Sequence, residues 1–284
     1  MTEFAMKKNV FSFIILRMRR FGFTLIEVLV VVAVIGILVA IVSPLMMVAK
    51  AHTRRVICAS NLRQLLLSFS LYEQDAETYP YGFCDLLLEG TNLPPPDGEC
   101  AGYMTHDRAG WWWFNYLQNM QETDMNPGSH FWCPSRKLPG ISVERNILCG
   151  NYGVNRSVCV DAVGISSSPF VAPPVKASAI KNPSLTLLIT DSGYSLVSWM
   201  AGCDSGTAPF ENPQRLDAFY IPGLELNQTR SELLDNRDAI KGRHPNQTLN
   251  VGYIDGHVEP READFLACDP NLLSGNHSPS LWIP

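Results

Sequence analysis

Apolar positions are spread very unevenly along the 284 residues. From Val28 to Val48 no residue carries a charge, a run of 21. At a rise of about 1.5 Å per residue this run makes roughly 31 Å of helix, enough to cross a bilayer core. Farther along, the pattern changes character. Cys58, Leu62, Leu65, Phe69 and Tyr72 fall at helical spacing and form one apolar stripe. Arg55, Arg63, Gln64 and Gln74 lie off it. The stripe predicts a helix half-buried against a sheet. Pro80 breaks helices, so the end is expected near Thr78. Pro44 lies inside the apolar run and is expected to kink the helix near the far membrane face.

After residue 80 the apolar runs shorten and Gly, Pro, Ser and Asn increase. LTLLITD (185–191) and LNVGYIDGHVE (249–259) read as strands. Asp255-Gly256 between two short apolar runs predicts a hairpin with a type I′ turn. PPPDGE (94–99) and SSPFVAPPVK (167–176) read as loops. The expected class is α+β: one long N-terminal helix laid on an antiparallel sheet, with long irregular insertions. The expected division is a basic leader (1–22), a transmembrane and stalk helix (23–78) and a globular head (79–284).

Charge refines this picture at the N-terminus. Net charge is −5, so bulk electrostatics do not point to nucleic acid as a partner. Lys7, Lys8, Arg17, Arg19 and Arg20 precede the apolar run and bias the N-terminus to the cytoplasm. Lys50, Arg54 and Arg55 weaken that bias. The run is longer than a secretory h-region, and only Ala49 and Ala51 offer a weak small-x-small site. A plain signal anchor accounts for everything except Gly22 and Glu27. A carboxylate within a span costs about 2.5–3.5 kcal/mol on insertion scales, and less near the interface. Cleavage after Gly22 would resolve this. Phe23 would gain a free amine one helical turn from Glu27, and staggered parallel helices could pair that carboxylate with a neighbour's amine.

Gly22-Phe23-Thr24-Leu25-Ile26-Glu27 resembles the processing site of type IV prepilins and type II secretion pseudopilins. The resemblance implies cleavage between Gly22 and Phe23 by a membrane-bound prepilin peptidase, then N-methylation of Phe23. It implies packing with other pilin or pseudopilin subunits, with Glu27 as the assembly residue. It also implies a pilin-like fold and a single-pass inner-membrane protein whose head lies in the periplasm or at the cell surface. A second resemblance rests on GRHPNQTLNVGYIDGHVE (242–259), which is similar to a pilin-like family named for His, nine residues and Asp-Gly. CASNLRQ (58–64), FWCPS (131–135) and NYGVNRS (151–157) resemble companion segments of that family. The motif residues here are His244, Asp255 and Gly256. Ten residues, not nine, separate His244 from Asp255. Either Pro245 adds a bulge or the contacts of His244 are rearranged. The plain reading of His244, Asp255 and His257 is a structural hairpin with surface histidines.

All eight cysteines follow the apolar run: Cys58, Cys84, Cys100, Cys133, Cys149, Cys159, Cys203 and Cys268. Outside the cytoplasm an even count suggests disulfides, with partial pairing or buried thiols as the alternative. None forms a Cys-x-x-Cys, and no His or carboxylate cluster has metal-ligand spacing, so neither a metal site nor a cofactor is expected. There is no Gly-rich phosphate loop, no Gly-x-Ser-x-Gly and no evident catalytic carboxylate pair, so an enzyme is not expected. Trp111, Trp112 and Trp113 are the remaining oddity. Three successive Trp cannot all face one core on a regular element. They are either covered by the insertions or exposed as a stacking platform, and a platform would make the head a binding module for glycans or partners.

Overall fold

The computed structural model describes residues 23–84, 111–117, 128–136, 150–162, 170–203, 220–229, 237–268 and 281–284. The leader with Gly22, the 94–99 loop, Cys100 and Cys149 lie outside these residues. The chain divides into two units between Met46 and Met47.

Helix α1 spans Leu25–Ala76 and runs through Pro44. It ends two residues before the expected Thr78. Glu77 there takes a left-handed φ of 58° and its N–H reaches Glu73 O at 2.8 Å. In the first unit, every described residue from 23 to 46 is exposed, although the side chains are almost all apolar. α1 is long and apolar enough there to cross a membrane. In the second unit the helix becomes one-sided. Cys58, Leu62, Leu65 and Phe69 are buried as the stripe predicted, Asn61 and Leu66 are buried beside them, and Tyr72 at the end of the stripe is half-buried.

The remaining elements are β1 (Phe83–Cys84), β2 (Trp111–Trp112), α2 (Trp113–Tyr116), β3 (Tyr152–Asn155), β4 (Leu187–Asp191), β5 (Leu196–Val197), α3 (Trp199–Gly202), α4 (Arg237–Lys241), β6 (Thr248–Tyr253) and β7 (Val258–Glu262), with short 3-10 turns between. β1 and β2 pair as an antiparallel ribbon. The main sheet has the order β5-β3-β4-β6-β7. It is antiparallel except where β3 and β5 run parallel, so the expected all-antiparallel sheet is mixed at one edge. The short β4–β5 connection carries the chain past the end of β3, which forces that direction.

Both sheet faces are covered. One core joins the α1 stripe to Val154, Leu188, Ile189 and the aromatic residues 112–114. The other joins Leu187, Val197, Leu249, Val251 and Tyr253 to Ile221, Leu224, Leu266 and Trp282. β6 shows the alternation that this requires: Leu249, Val251 and Tyr253 face the second core. Asn250 and Gly252 face α1. Asn250 Nδ2 donates to Arg55 O at 3.3 Å, and a Cβ on Gly252 would stand 3.0 Å from both Leu66 and Ile189 side-chain carbons. Leu187 and Leu188 fall in opposite cores, and the β4–β6 register shifts between Leu187 and Ile189.

The β6–β7 hairpin forms where the sequence put it, but with a different turn. Gly256 N donates to Tyr253 O at 3.0 Å, and Tyr253 N donates to His257 O at 3.0 Å. Among the turn residues only Gly256 has positive φ, at 92°. The loop is therefore Ile254-Asp255-Gly256, with glycine in the left-handed place of a three-residue turn, and not a type I′ turn centred on Asp255-Gly256. The tryptophans are also settled. β2 passes directly into α2, so the side chains of Trp112 and Trp113 leave the backbone in unrelated directions and both are buried, with Phe114. Trp113 stacks on Phe69 at 5.6 Å, and its indole N–H donates to Ser195 O at 3.0 Å. Trp112, Trp113 and Phe114 are core and Trp111 is half-buried, so among the described residues the run forms no exposed platform of the kind the binding-module reading required.

Candidate functional site

Two places in the chain concentrate chemistry. The first is the start of α1. Thr24 is the N-cap: its carbonyl accepts from Val28 N at 3.4 Å. Glu27 is three residues on, and its Oε2 accepts from Thr24 N at 2.8 Å and Thr24 Oγ1 at 2.7 Å. Glu27 N donates in return to Thr24 Oγ1 at 3.4 Å. This is a capping box, and Thr-x-x-Glu ahead of an apolar run is its sequence signature. The reading of Glu27 as an assembly residue alone passed over it. Within one chain, then, Glu27 has a use that needs no neighbour. Only Oε2 is engaged, and Oε1 has no partner among the described residues. Phe23 beside it is 78% exposed.

The second place is buried in the head. The segments that carry the second resemblance converge there. Cys58 comes from α1, Cys133 from the Cys-Pro-Ser segment, Asp191 from the end of β4, and His244 from the turn before β6. Cys58 Sγ lies 3.3 Å from Cys133 Sγ and donates to Asp191 Oδ1 at 3.0 Å. His244 Nε2 lies 3.1 Å from Asp191 Oδ2, which also accepts from Asn250 N at 2.7 Å. Asn151 Oδ1 accepts from Cys133 N at 3.1 Å, and Asn61 Nδ2 donates to Trp132 O at 3.1 Å. Arg243 is buried beside them. Its guanidinium donates to Asn151 O at 2.6 Å, to Ser192 O at 2.9 Å and to Asp238 Oδ2 at 3.0 Å, and stands 3.8 Å from Asp191 Oδ1.

The electrostatics follow from this packing. Burial opposes the charge on Asp191, but His244, Arg243 and the Asn250 N–H outweigh it and hold the carboxyl at about 2. Burial likewise opposes charge on His244, yet Asp191 raises it to about 9. Burial pushes the Cys58 thiol well up. Cys133 is equally buried but is drawn down to about 6 by Cys58, His244 and Arg243. Burial thus disfavours charge on both thiols, and the His244 and Arg243 beside Cys133 offset it there. His244 Nδ1 is buried with no hydrogen-bond partner among the described residues.

These positions revise several sequence expectations. His244 is not a surface residue of the hairpin; it is 4% exposed and turned to Asp191. The residues that follow it, Pro245–Gln247, make a short turn in which Asn246 and Gln247 have φ of 57° and 54°. β6 and β7 pair in unbroken register from Thr248 onward, so the extra residue does not bulge their ladder. Asp255 and Gly256 serve the turn instead. Asp255 Oδ1 accepts from His257 N at 3.2 Å and lies 2.5 Å from His257 Nδ1, while the His257 ring stacks on Tyr253. Of the cysteines, Cys203 and Cys268 form a disulfide. Cys58, Cys84, Cys133 and Cys159 are buried thiols, so among the described cysteines the pairing is partial, the alternative to a full set of disulfides. Most clearly, a Cys–Cys–Asp–His set with metal-ligating atoms lies within 4.8 Å, where sequence spacing suggested none. Its members are 58 residues or more apart in sequence except where β4 leads back toward β6, so no local motif exists to be read.

Comparison with known proteins bears on the first place. The family profile described as Prokaryotic N-terminal methylation motif matches residues 17–43. Type II secretion system core protein G of Escherichia coli (strain K12) is 31% identical over 113 residues, 38% of this chain and 74% of that protein. The protein of the same name from Pectobacterium carotovorum is 30% identical over 116 residues, 39% of this chain and 70% of the relative. That of Pseudomonas aeruginosa is 31% identical over 83 residues, 28% of this chain and 58% of the relative. No solved structure matches this chain. With more than two thirds of two such relatives aligned to it, and an apolar helix opened by the Phe-Thr-Leu-Ile-Glu segment, this chain belongs to the pseudopilin family of type II secretion system core protein G.

Proposed function

We propose that this chain is a structural subunit of a type II secretion-like filament and not a catalyst. In this reading prepilin peptidase removes residues 1–22 after Gly22, and Phe23 is then N-methylated. The α1 residues up to about Val48 hold the unassembled subunit in the inner membrane. The same residues then pack against those of other pseudopilin subunits, and residues 79–284 form the head outside the cytoplasm.

One observation carries this reading: the uncharged and almost wholly apolar run of residues 28–48 is exposed at every position, and just ahead of it stands a carboxylate with one oxygen unengaged among the described residues. Such a surface has no stable place in water and requires lipid or like helices around it. The Cys203–Cys268 disulfide supports a head in an oxidising compartment, as do the basic residues of the leader. The test is mass spectrometry of the mature N-terminus. It should begin at N-methylated Phe23, and Gly22→Asp should leave the chain full length because the peptidase subsite accepts almost no side chain. Normal maturation of Gly22→Asp would place the cleavage site elsewhere.

A further inference from the structure

We propose that Cys58, Cys133, Asp191 and a ring nitrogen of His244 bind one zinc-class divalent metal ion, which ties helix α1 to the sheet of the head. The four ligand atoms lie within 4.8 Å of one another, and all four residues are buried. A tetrahedron with bonds of about 2.0–2.3 Å has edges of about 3.3–3.8 Å, so the outermost donors move inward and Cys58 Sγ moves away from Cys133 Sγ and Asp191 Oδ1 by about 0.5 Å to complete it. Two sulfurs, one imidazole and one carboxylate make a borderline-soft set that suits Zn²⁺ better than Ca²⁺ or Mg²⁺. Four protein ligands leave no open position, so the site is structural in type.

Charge and supporting contacts agree. Two thiolates and the Asp191 carboxylate carry three negative charges. A divalent ion supplies two positive charges, and Arg243, 3.8 Å from Asp191 Oδ1, contributes a further one that it shares with Asp238. The ligands are also held from behind. Asn250 N fixes Asp191 Oδ2, and Asn151 Oδ1 fixes the Cys133 backbone. Such outer contacts orient ligands in metal sites.

A Cys58–Cys133 disulfide is the competing use of the two sulfurs. It would remove the Cys58 thiol hydrogen that Asp191 Oδ1 accepts at 3.0 Å, leaving that buried oxygen with only Arg243 beyond hydrogen-bond reach. It would do nothing for the unpartnered His244 Nδ1. An ion uses both sulfurs and Asp191 Oδ1 together.

The experiment uses the full processed chain without a polyhistidine tag, purified in detergent and loaded with Zn²⁺. One zinc per chain is expected by elemental analysis. Co²⁺ in its place should give a thiolate-to-cobalt charge-transfer band and tetrahedral d–d bands. Cys133→Ser and Asp191→Asn should each bind Zn²⁺ about a hundredfold more weakly. Cys159→Ser, a buried thiol outside the set, should bind as the parent does. Peptide mapping of the parent chain under non-reducing conditions keeps the test decisive if a variant fails to fold. A Cys58–Cys133 linked peptide, or no zinc retained after loading, overturns the proposal. So does unchanged binding in Cys133→Ser, which would mean an adventitious ion only.

Discussion

At the residue scale, Glu27 has one use in the structure and a second in the proposed function. Its Oε2 caps α1 through Thr24, and in the proposed filament its charge pairs with a neighbouring subunit's amine. Glu27→Gln keeps an acceptor for the capping box and removes the charge. Glu27→Ala removes both. If charge pairing sets the register, both variants should insert and mature yet fail to assemble. A buried charge left without its partner costs about 3–5 kcal/mol where water is excluded. Assembled subunit is compared with processed monomer by electron microscopy and native gel. Normal assembly of Glu27→Gln with failure of Glu27→Ala would assign the residue to capping alone. Head unfolding should change by less than about 0.5 kcal/mol in both. Gly256 makes a contrasting case. Its φ of 92° has open space around it, so Gly256→Ala meets no clash and suffers only backbone strain. Urea unfolding should show a loss of about 1–2 kcal/mol.

At the element scale, α1 is one helix with two kinds of surface. Through residue 50 every side chain is exposed; from Cys58 the helix buries a single face. The second half owes its place to close packing on β4 and β6. Leu65→Ala, at a fully buried position, should lower head stability by about 2–5 kcal/mol. Leu67→Ala, at a position 63% exposed on the same turn, should change it by less than about 0.5 kcal/mol. Gly252→Ala tests the same interface from the sheet side. The new methyl would stand 3.0 Å from carbons of Leu66 and Ile189, both held in the core, and should cost about 1–3 kcal/mol. Thermal or urea unfolding of each variant measures all three.

At the scale of the molecule, the Cys203–Cys268 disulfide closes a 65-residue separation and joins α3 to the segment after β7. Cross-linking a loop of that length restrains the unfolded chain by about 4 kcal/mol in the entropy model, and measured effects are commonly about 2–4 kcal/mol. Cys203→Ser should lower unfolding stability by that lower range, and a reductant should reproduce the loss in the parent chain. The same bond makes topology testable. A reporter fused after Pro284 should be active only if it works outside the cytoplasm. Activity of a strictly cytoplasmic reporter would overturn the proposed orientation.

Local and periodic features were legible in the chain itself. The uncharged run, the 58–72 stripe, the 185–191 and 249–259 strands and the Gly22–Glu27 segment each depend on residues within a few positions of one another, so their physics is visible in order along the sequence. Even Thr24-x-x-Glu27 was readable as a cap. What escaped depends on distant segments. The type I′ assignment failed because loop length is set by the register of β6 on β7, which a dipeptide does not encode. His244 looked like a surface residue because nothing near it in sequence shows that Asp191, 53 residues away, faces it. The cysteines could be counted but not paired. Only the fold decides that Cys203 meets Cys268 while Cys58 meets Cys133, Asp191 and His244, because burial and proximity belong to the packed helix and sheet and not to the spacing of residues along the chain.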